Sequence, residues 1–363
     1  MSLFHQPEEI IQGKYCITGV LGKGGVAVTY SAIALATNSP VAIKVISLKQ
    51  LDNWKQVELF QREADILKQL NHPNIPDYID YFDIETRSDK AFYLVQQLAP
   101  GKSLYQLVES GWHITEKEVK DIAQKVLSIL SYLHSLDPPV IHRDIKPHNL
   151  IRSDEGKIYL VDFGAVQNTY YNTLMQGSTV VGTYGYMAPE QFRGQALPAT
   201  DLYSLGATLL YLLTHRSPAE LPQDTLKLDF RSAVDISESF VEWLENILEP
   251  DAEDRFDSAD LASTKLFAVE RKKHKMLLTN ISISILLLGL IIGANSYKWF
   301  FLSRLGFFPS KLCYSHIMDD FIEQKGNINY IARQQRTSVF SCIVKAGDKQ
   351  RIKQAINNFD RAK

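Results

Sequence analysis

Residues 140–151 read VIHRDIKPHNLI, and within them His142, Arg143, Asp144, Lys146 and Asn149 crowd between two short apolar runs. Pro147 forbids a helix interior at this point. So many polar groups in one short loop pack poorly as core and serve well as a site. A second apolar run, YLVDFGAV at 159–166, ends in Asp162, Phe163 and Gly164. That sets a carboxylate at a strand end, where a metal ion can reach it. A third candidate is Lys44, the single charged residue in the β-branched run VAIKVISL at 41–48. Its counterpart is Glu63 in LFQREADILKQLNHPNI, where Phe60, Ala64, Leu67 and Leu70 recur at helical spacing. Glu63 lies three residues after Phe60 and four before Leu67, so it shares their inward face. A carboxylate on an apolar face needs a charged partner. Paired with Lys44, it would hold an ammonium toward a di- or triphosphate.

The element ahead of Lys44 is LGKGGVAVTYSAI at 21–33. Gly22 and Gly24 are followed by Ala27, where a phosphate-cradling G-x-G-x-x-G loop would carry a third glycine. Alone, the stretch is equally a nucleotide loop with one glycine missing or a hairpin of small residues.

Composition narrows the class. The chain has 363 residues, 45% hydrophobic and 22% charged, which is ordinary for a globular protein with a substantial core. A net charge of −2 argues against a nucleic-acid partner. The 3 cysteines give neither a disulfide framework nor zinc-ligand spacing. The N-terminal MSLFHQPEEIIQGKY has acidic residues and no apolar centre, so no secretory signal is expected and the N-terminal region is expected in the cytosol. No internal repeat or low-complexity tract is visible.

MLLTNISISILLLGLIIGA at 276–294 contains no charged residue and is long enough to cross a bilayer as a helix. RKKHK precedes it and YKWFF follows, a basic flank on one side and an aromatic belt on the other. The alternative is a buried helix of a soluble domain. The basic flank points to an inside N-terminal region, but Lys298, Arg304 and Lys311 follow the run, so charge alone does not decide the side.

Taken together, these residues resemble the protein kinase family, over roughly residues 15–267. The resemblance rests on the glycine loop, VAIK, a helix glutamate, HRDIKPHN, DFG and APE occurring in that chain order. It implies a bilobal α+β fold, with a small β-rich N-lobe carrying one regulatory helix and a larger, mainly helical C-lobe. Four regions are expected: a catalytic domain at 15–267, a basic juxtamembrane segment at 268–275, a transmembrane helix at 276–297, and a short extracytoplasmic tail at 298–363. The expected type is a Hanks-type bacterial serine/threonine kinase of cyanobacterial flavour, anchored in the inner membrane with its catalytic domain in the cytoplasm.

The resemblance assigns roles residue by residue. Leu21, Gly22, Lys23, Gly24, Gly25 and Val28 would cover ATP. Lys44 would contact the α- and β-phosphates and pair with Glu63. Asp144 would accept the proton of the acceptor hydroxyl, and Lys146 would stabilise the γ-phosphate. Asn149 and Asp162 would hold Mg2+, for which Mn2+ is an expected substitute. The Gln97 carbonyl and Ala99 amide would face the adenine edge, Val28, Ala42 and Ile151 would sandwich its faces, and Gln96 would line the back. Ala27 in place of glycine is expected to stiffen the loop and weaken ATP binding.

Within the activation segment, Ser178 and Thr179 are the expected autophosphorylation sites, with Arg143 positioned to pair with an added phosphate. Thr183 fits the serine/threonine class by bonding Asp144. Phe163, His142, Leu67 and Tyr78 match the stacked spine of the family. Asp201 would anchor the catalytic loop, and Arg255 would pair with Glu190. Protein substrates, the lipid bilayer and a second copy for autophosphorylation are the implied partners. Two rival readings are a catalytically dead scaffold, opposed by the full set Lys44, Glu63, Asp144, Asn149 and Asp162, and a small-molecule phosphotransferase, opposed by the APE segment. The tail matches no motif. Its end, DKQRIKQAINNFDRAK, reads as an amphipathic helix with Ile352, Ala355, Ile356 and Phe359 on one face, and an oxidising setting would allow Cys313 and Cys342 to pair.

Overall fold

The computed structural model describes residues 4–51, 54–168, 182–224 and 226–267. The expectations for Ser178 and Thr179, for the span at 276–297 and for the tail lie outside these residues. Among the described residues no helix is long and apolar enough to cross a membrane.

The N-terminal lobe is a six-stranded antiparallel sheet of β1 (Ile10–Ile11), β2 (Tyr15–Lys23), β3 (Ala27–Ala34), β4 (Ser39–Ser47), β5 (Tyr78–Glu85) and β6 (Lys90–Gln97), in the order β1-β2-β3-β4-β6-β5. Period-two alternation divides its two faces. Val28, Tyr30, Ile43, Val45, Tyr93 and Val95 pack together on one of them. The other carries Lys44 and looks toward α1 (Lys55–Leu67), whose Val57, Phe60, Ala64 and Leu67 are buried at helical spacing.

In the C-terminal lobe, β7 (Lys102–Ser103) leads directly into α2 (Leu104–Glu109), followed by the 20-residue α3 (Glu116–Ser135). Helix α3 starts at a capping box in which Thr115 accepts from the Glu118 backbone N–H while the Glu118 side chain accepts from that of Thr115. The loop holding Asp144 runs between β8 (Val140–Ile141) and β9 (Leu150–Arg152), and Asp162 follows β10 (Ile158–Leu160). Strand β11 (Gln167–Asn168) pairs back onto β8.

Helix α4 (Pro198–Thr214) is buried over nearly its whole length and is apolar almost all round, as a helix at the centre of a lobe must be. Its few buried polar residues, Thr200, Asp201, Ser204 and Thr208, are therefore informative. Helix α5 (Glu238–Ile247) packs against α4, and α6 (Ala259–Leu266) packs against α3 and α5. One continuous core joins the lobes, running from Phe60, Leu67 and Leu94 through Phe163 to α3, α4 and α5.

Candidate active site

Lys44 projects from β4 into the space between the lobes. Its Nζ lies 2.8 Å from Glu63 Oε2, 2.9 Å from Glu63 Oε1 and 2.6 Å from Asp162 Oδ1. Burial alone would lower the Lys44 pKa, but Asp162 and Glu63 more than reverse this and hold it above the usual lysine range. Lys44 in turn pulls Asp162 down to about 2. Burial pushes Glu63 up, against the pull of Lys44. The loop after Asp162 allows this approach because residue 164 is glycine. A Cβ there would lie 3.1 Å from Glu63 Oε2 and 3.2 Å from Lys44 Nζ.

The loop that carries Asp144 is held through its backbone. Asp201, fully buried on α4, accepts the N–H of His142 at 2.9 Å and that of Arg143 at 2.8 Å. His134 on α3 also contacts Asp201, with Nε2 3.0 Å from Oδ2. The Thr208 hydroxyl, 2.8 Å from the Ser204 carbonyl of its own helix, also lies 3.3 Å from the Ile145 carbonyl, and the Tyr105 N–H of α2 donates to the Pro147 carbonyl at 3.1 Å. Arg143 and Asp162 both adopt φ of 67°, a costly left-handed conformation for residues other than glycine. The His142 ring meets Phe163 edge-on at 4.8 Å, with Leu67 buried in the same core and Tyr78 packed against it. Burial keeps the His142 pKa below its ordinary value.

Both oxygens of Asp144 are engaged. Thr183 donates to Oδ1 at 2.8 Å; Lys146 Nζ lies 2.7 Å from Oδ2 and 2.7 Å from the Thr183 hydroxyl. Asn149 Nδ2 donates to Asp144 Oδ2 at 3.0 Å and to its carbonyl at 2.9 Å. That arrangement commits the amide nitrogen of Asn149 and leaves its carbonyl oxygen as the hard donor. The Asn149 oxygen and the second oxygen of Asp162 fit Mg2+ chemically, because Mg2+ takes oxygen ligands and is commonly held by one or two carboxylates plus substrate phosphates. Among the described residues no group of three or more His, Cys, Asp or Glu could hold an ion unaided. A phosphate-completed site needs none.

The strand register corrects one expectation for the nucleotide roof. Thr29 stands opposite Lys44 and Ser31 opposite Ala42, while Val28 stands opposite Val45. Val28 is fully buried with Tyr30 and Val45 on the far face, so it does not sandwich adenine. Thr29 shares the Lys44 face, next to Gly22 of β2. Gln96 pairs with Ala42 and so belongs to that face too, while Gln97 closes β6 ahead of Ala99. Ile151 lies in β9, half-buried. The expected stiffening by Ala27 also loses its basis, because Ala27 is an ordinary β3 residue paired with Ile46 and not at positive φ. Of the loop residues, Leu21, Gly22 and Lys23 end β2, and Gly24 and Gly25 form the turn.

Glu190 and Arg255 meet as a bidentate pair at 2.8 and 2.9 Å. Burial would raise the Glu190 pKa, but the bonds and charge of Arg255 hold it below the usual range. Thr200 adds a hydrogen bond to Glu190 at 2.7 Å. Thr29, His134, Thr200, Thr208 and Gln191 were not singled out from the sequence. Polar residues inside the otherwise apolar helical run TDLYSLGATLLYLLT were the available signal for Thr200 and Thr208.

The chain belongs to the protein kinase family: the family model described as the protein kinase domain matches residues 15–267. The similarity is to bacterial serine/threonine kinases of the Hanks type. The protein named serine/threonine-protein kinase B of Synechocystis sp. is 37% identical over 266 residues, covering 69% of this chain and 45% of that protein. Serine/threonine-protein kinase F of the same organism is 36% identical over 271 residues, covering 69% and 54%. Serine/threonine-protein kinase PknA of Nostoc sp. is 35% identical over 268 residues, covering 69% and 46%. The chain thus spans about half the length of the curated relatives it matches.

Proposed function

We propose that this chain is a serine/threonine protein kinase that transfers the γ-phosphoryl group of ATP to protein hydroxyls, its own included. The observation that carries this reading is the simultaneous closure of two networks, Lys44 with Glu63 and Asp162, and Asp144 with Lys146 and Thr183. In it Lys44, held by Glu63, binds the α- and β-phosphates. Asn149 and Asp162 would hold Mg2+, whose charge would offset that of the phosphates. Asp144 orients the acceptor hydroxyl and takes its proton, and Lys146 steadies the transferring group. Gly22, Gly24 and Gly25 let backbone approach the phosphates, and the Gln97–Ala99 stretch receives the adenine edge. No covalent enzyme intermediate is required, since position and charge supply the acceleration.

We also propose a membrane setting, on the strength of the sequence at 268–297. Because ATP is cytosolic, the catalytic domain faces the cytoplasm, and the tail lies on the opposite side. Signalling from the membrane and autophosphorylation between two copies follow from that arrangement. The full chain incubated with labelled ATP, Mg2+ and a generic protein acceptor tests the kinase reading. Fractionation under alkaline extraction tests the anchor, which fails if the chain leaves the membrane pellet.

A further inference from the structure

Gln191 is fully buried, directly after Glu190, in the 3-10 turn Pro189–Arg193. Its Oε1 accepts the Ala188 N–H at 2.9 Å, and its Nε2 donates to the Arg143 carbonyl at 2.9 Å. Both partners are backbone groups whose roles cannot be exchanged, so the amide is fixed in one orientation. A neutral carboxamide of this length supplies one donor and one acceptor at the required ends. An ionised glutamate lacks the donor, and methionine lacks both.

The carbonyl it holds belongs to the peptide that leads into Asp144. Arg143 sits at φ 67°, with its N–H on Asp201 and its carbonyl on Gln191. The strained residue before the base is therefore clamped from two sides, once from α4 and once from the segment that carries Thr183. Gly182 packs on the same side chain. A Cβ at 182 would lie 3.1 Å from Gln191 Nε2 and 2.6 Å from Met187 Cγ, and its φ of 142° excludes ordinary side chains. Of the side chains bonding the loop backbone here, Asp201 and Thr208 belong to α4 and Asn149 to the loop itself, whereas Gln191 belongs to residues 182–193, the stretch that carries Thr183 and that we call the acceptor segment.

We propose that Gln191 is a positioning residue that couples the seating of the acceptor segment to the aim of Asp144. This rests on the kinase reading above. Substitution Gln191→Glu makes the coupling titratable. Protonated, the new side chain donates to the Arg143 carbonyl and both bonds survive; ionised, it sets negative charge against that carbonyl. The charged and titratable groups of the elements packed around it are His142, Arg143, Asp144 and Lys146 on the loop, Asp201 on α4, and Arg193 and Glu190, with Glu190's partner Arg255, on its own turn.

The test uses the full chain with casein as acceptor, comparing wild type, Q191M and Q191E. For Q191M, kcat falls about tenfold or more while the KM for ATP stays within about twofold. The ratio of Q191E to wild-type kcat rises about tenfold between pH 8.5 and pH 6. A purely structural role would lower both variants without that pH signature. Unchanged kcat in Q191M, or a flat Q191E ratio, overturns the proposal. Should Q191M fail to fold, Q191E at pH 6 and pH 8.5 carries the comparison. Should the wild type transfer no phosphate, the kinase reading fails, and hydrogen exchange over 140–149 then decides the coupling. Faster exchange there in Q191E at pH 8.5 than at pH 6, corrected by the wild type, supports the clamp, and equal exchange overturns it.

Discussion

The hydroxyl of Thr183 donates to Asp144 Oδ1 at 2.8 Å while accepting from Lys146 Nζ at 2.7 Å. A residue of the acceptor segment and the carboxylate proposed as base thus share one proton network, in which the threonine oxygen works as both donor and acceptor. Thr183→Val removes both bonds and keeps the shape. Its kcat should fall roughly 10- to 100-fold, the equivalent of about 1.4–3 kcal/mol of lost positioning, with the KM for ATP little changed. Thr183→Ser should retain most of the rate. Equal kcat in the valine and serine variants would show the hydroxyl to be idle.

Lys44 is the shared partner of two carboxylates, at 2.8 Å from Glu63 and 2.6 Å from Asp162. Lys44→Met leaves the buried Glu63 carboxylate without its cation, a loss on the order of 3 kcal/mol. Steady-state kinetics should show kcat/KM for ATP down at least about 100-fold. Lys44→Arg should not restore it, because a planar fork does not fit a point between two converging carboxylates.

Arg255 has no exposed side-chain surface and is bound to Glu190 through two parallel bonds. Glu190→Gln removes the countercharge of a buried guanidinium that keeps its bonds to the Glu249, Ala199 and Pro250 carbonyls, and should destabilise the domain by about 3 kcal/mol. In thermal melts that is a drop of roughly 6–12 °C for a domain of this size. A shift below about 2 °C would mean that the pair contributes little to stability.

Acid should erode the site in a defined window. Lys44 depresses Asp162 to about 2 from 3.8, so the folded pKa lies below the unfolded one. The stability contributed by Asp162 is then fully present above pH 3.8 and is lost as pH falls toward 2. Glu190 is shifted in the same direction and reinforces the trend. Denaturant titrations from pH 5.5 downward should show the stability gap between wild type and Asp162→Asn narrowing through this window. A gap that widens on acidification would reverse the assigned sign.

Much of the site was legible because its chemistry is written in short, local words. HRDIKPHN places Asp144, Lys146 and Asn149 on one loop, and DFG places Asp162 at a strand end, whatever the rest of the lobe does. The Lys44–Glu63 pair was legible because helical periodicity turned Glu63 inward. What the sequence left hidden depends on register and on distant partners. Val28 and Thr29 are adjacent, and only the pairing of β3 with β4 shows that Thr29 is the one on the Lys44 face. Val28, Tyr30 and Ala32 alternate with Thr29 and Ser31, which separates two faces of β3, but the strand alone does not say which of them faces the cleft. Ala27 raised a question of loop strain that a β conformation at that position removes. Gln191 follows the APE glutamate and looks like one more polar residue, since its partner Arg143 is 48 residues away. Asp201 and Arg255 were recognisable by resemblance, whereas His134 and Thr208 emerge only once α3 and α4 are packed beneath the loop.

The most direct test of the central claim is phosphate transfer by the full chain compared with its Asp144→Asn variant, using labelled ATP, Mg2+ and a protein acceptor. Asparagine cannot take the acceptor proton yet preserves size and most contacts. The account predicts label on serine or threonine of the chain and the acceptor with the wild type, and a loss of about 100-fold or more in the variant. Transfer by the variant at the wild-type rate, or none by the wild type, would contradict it.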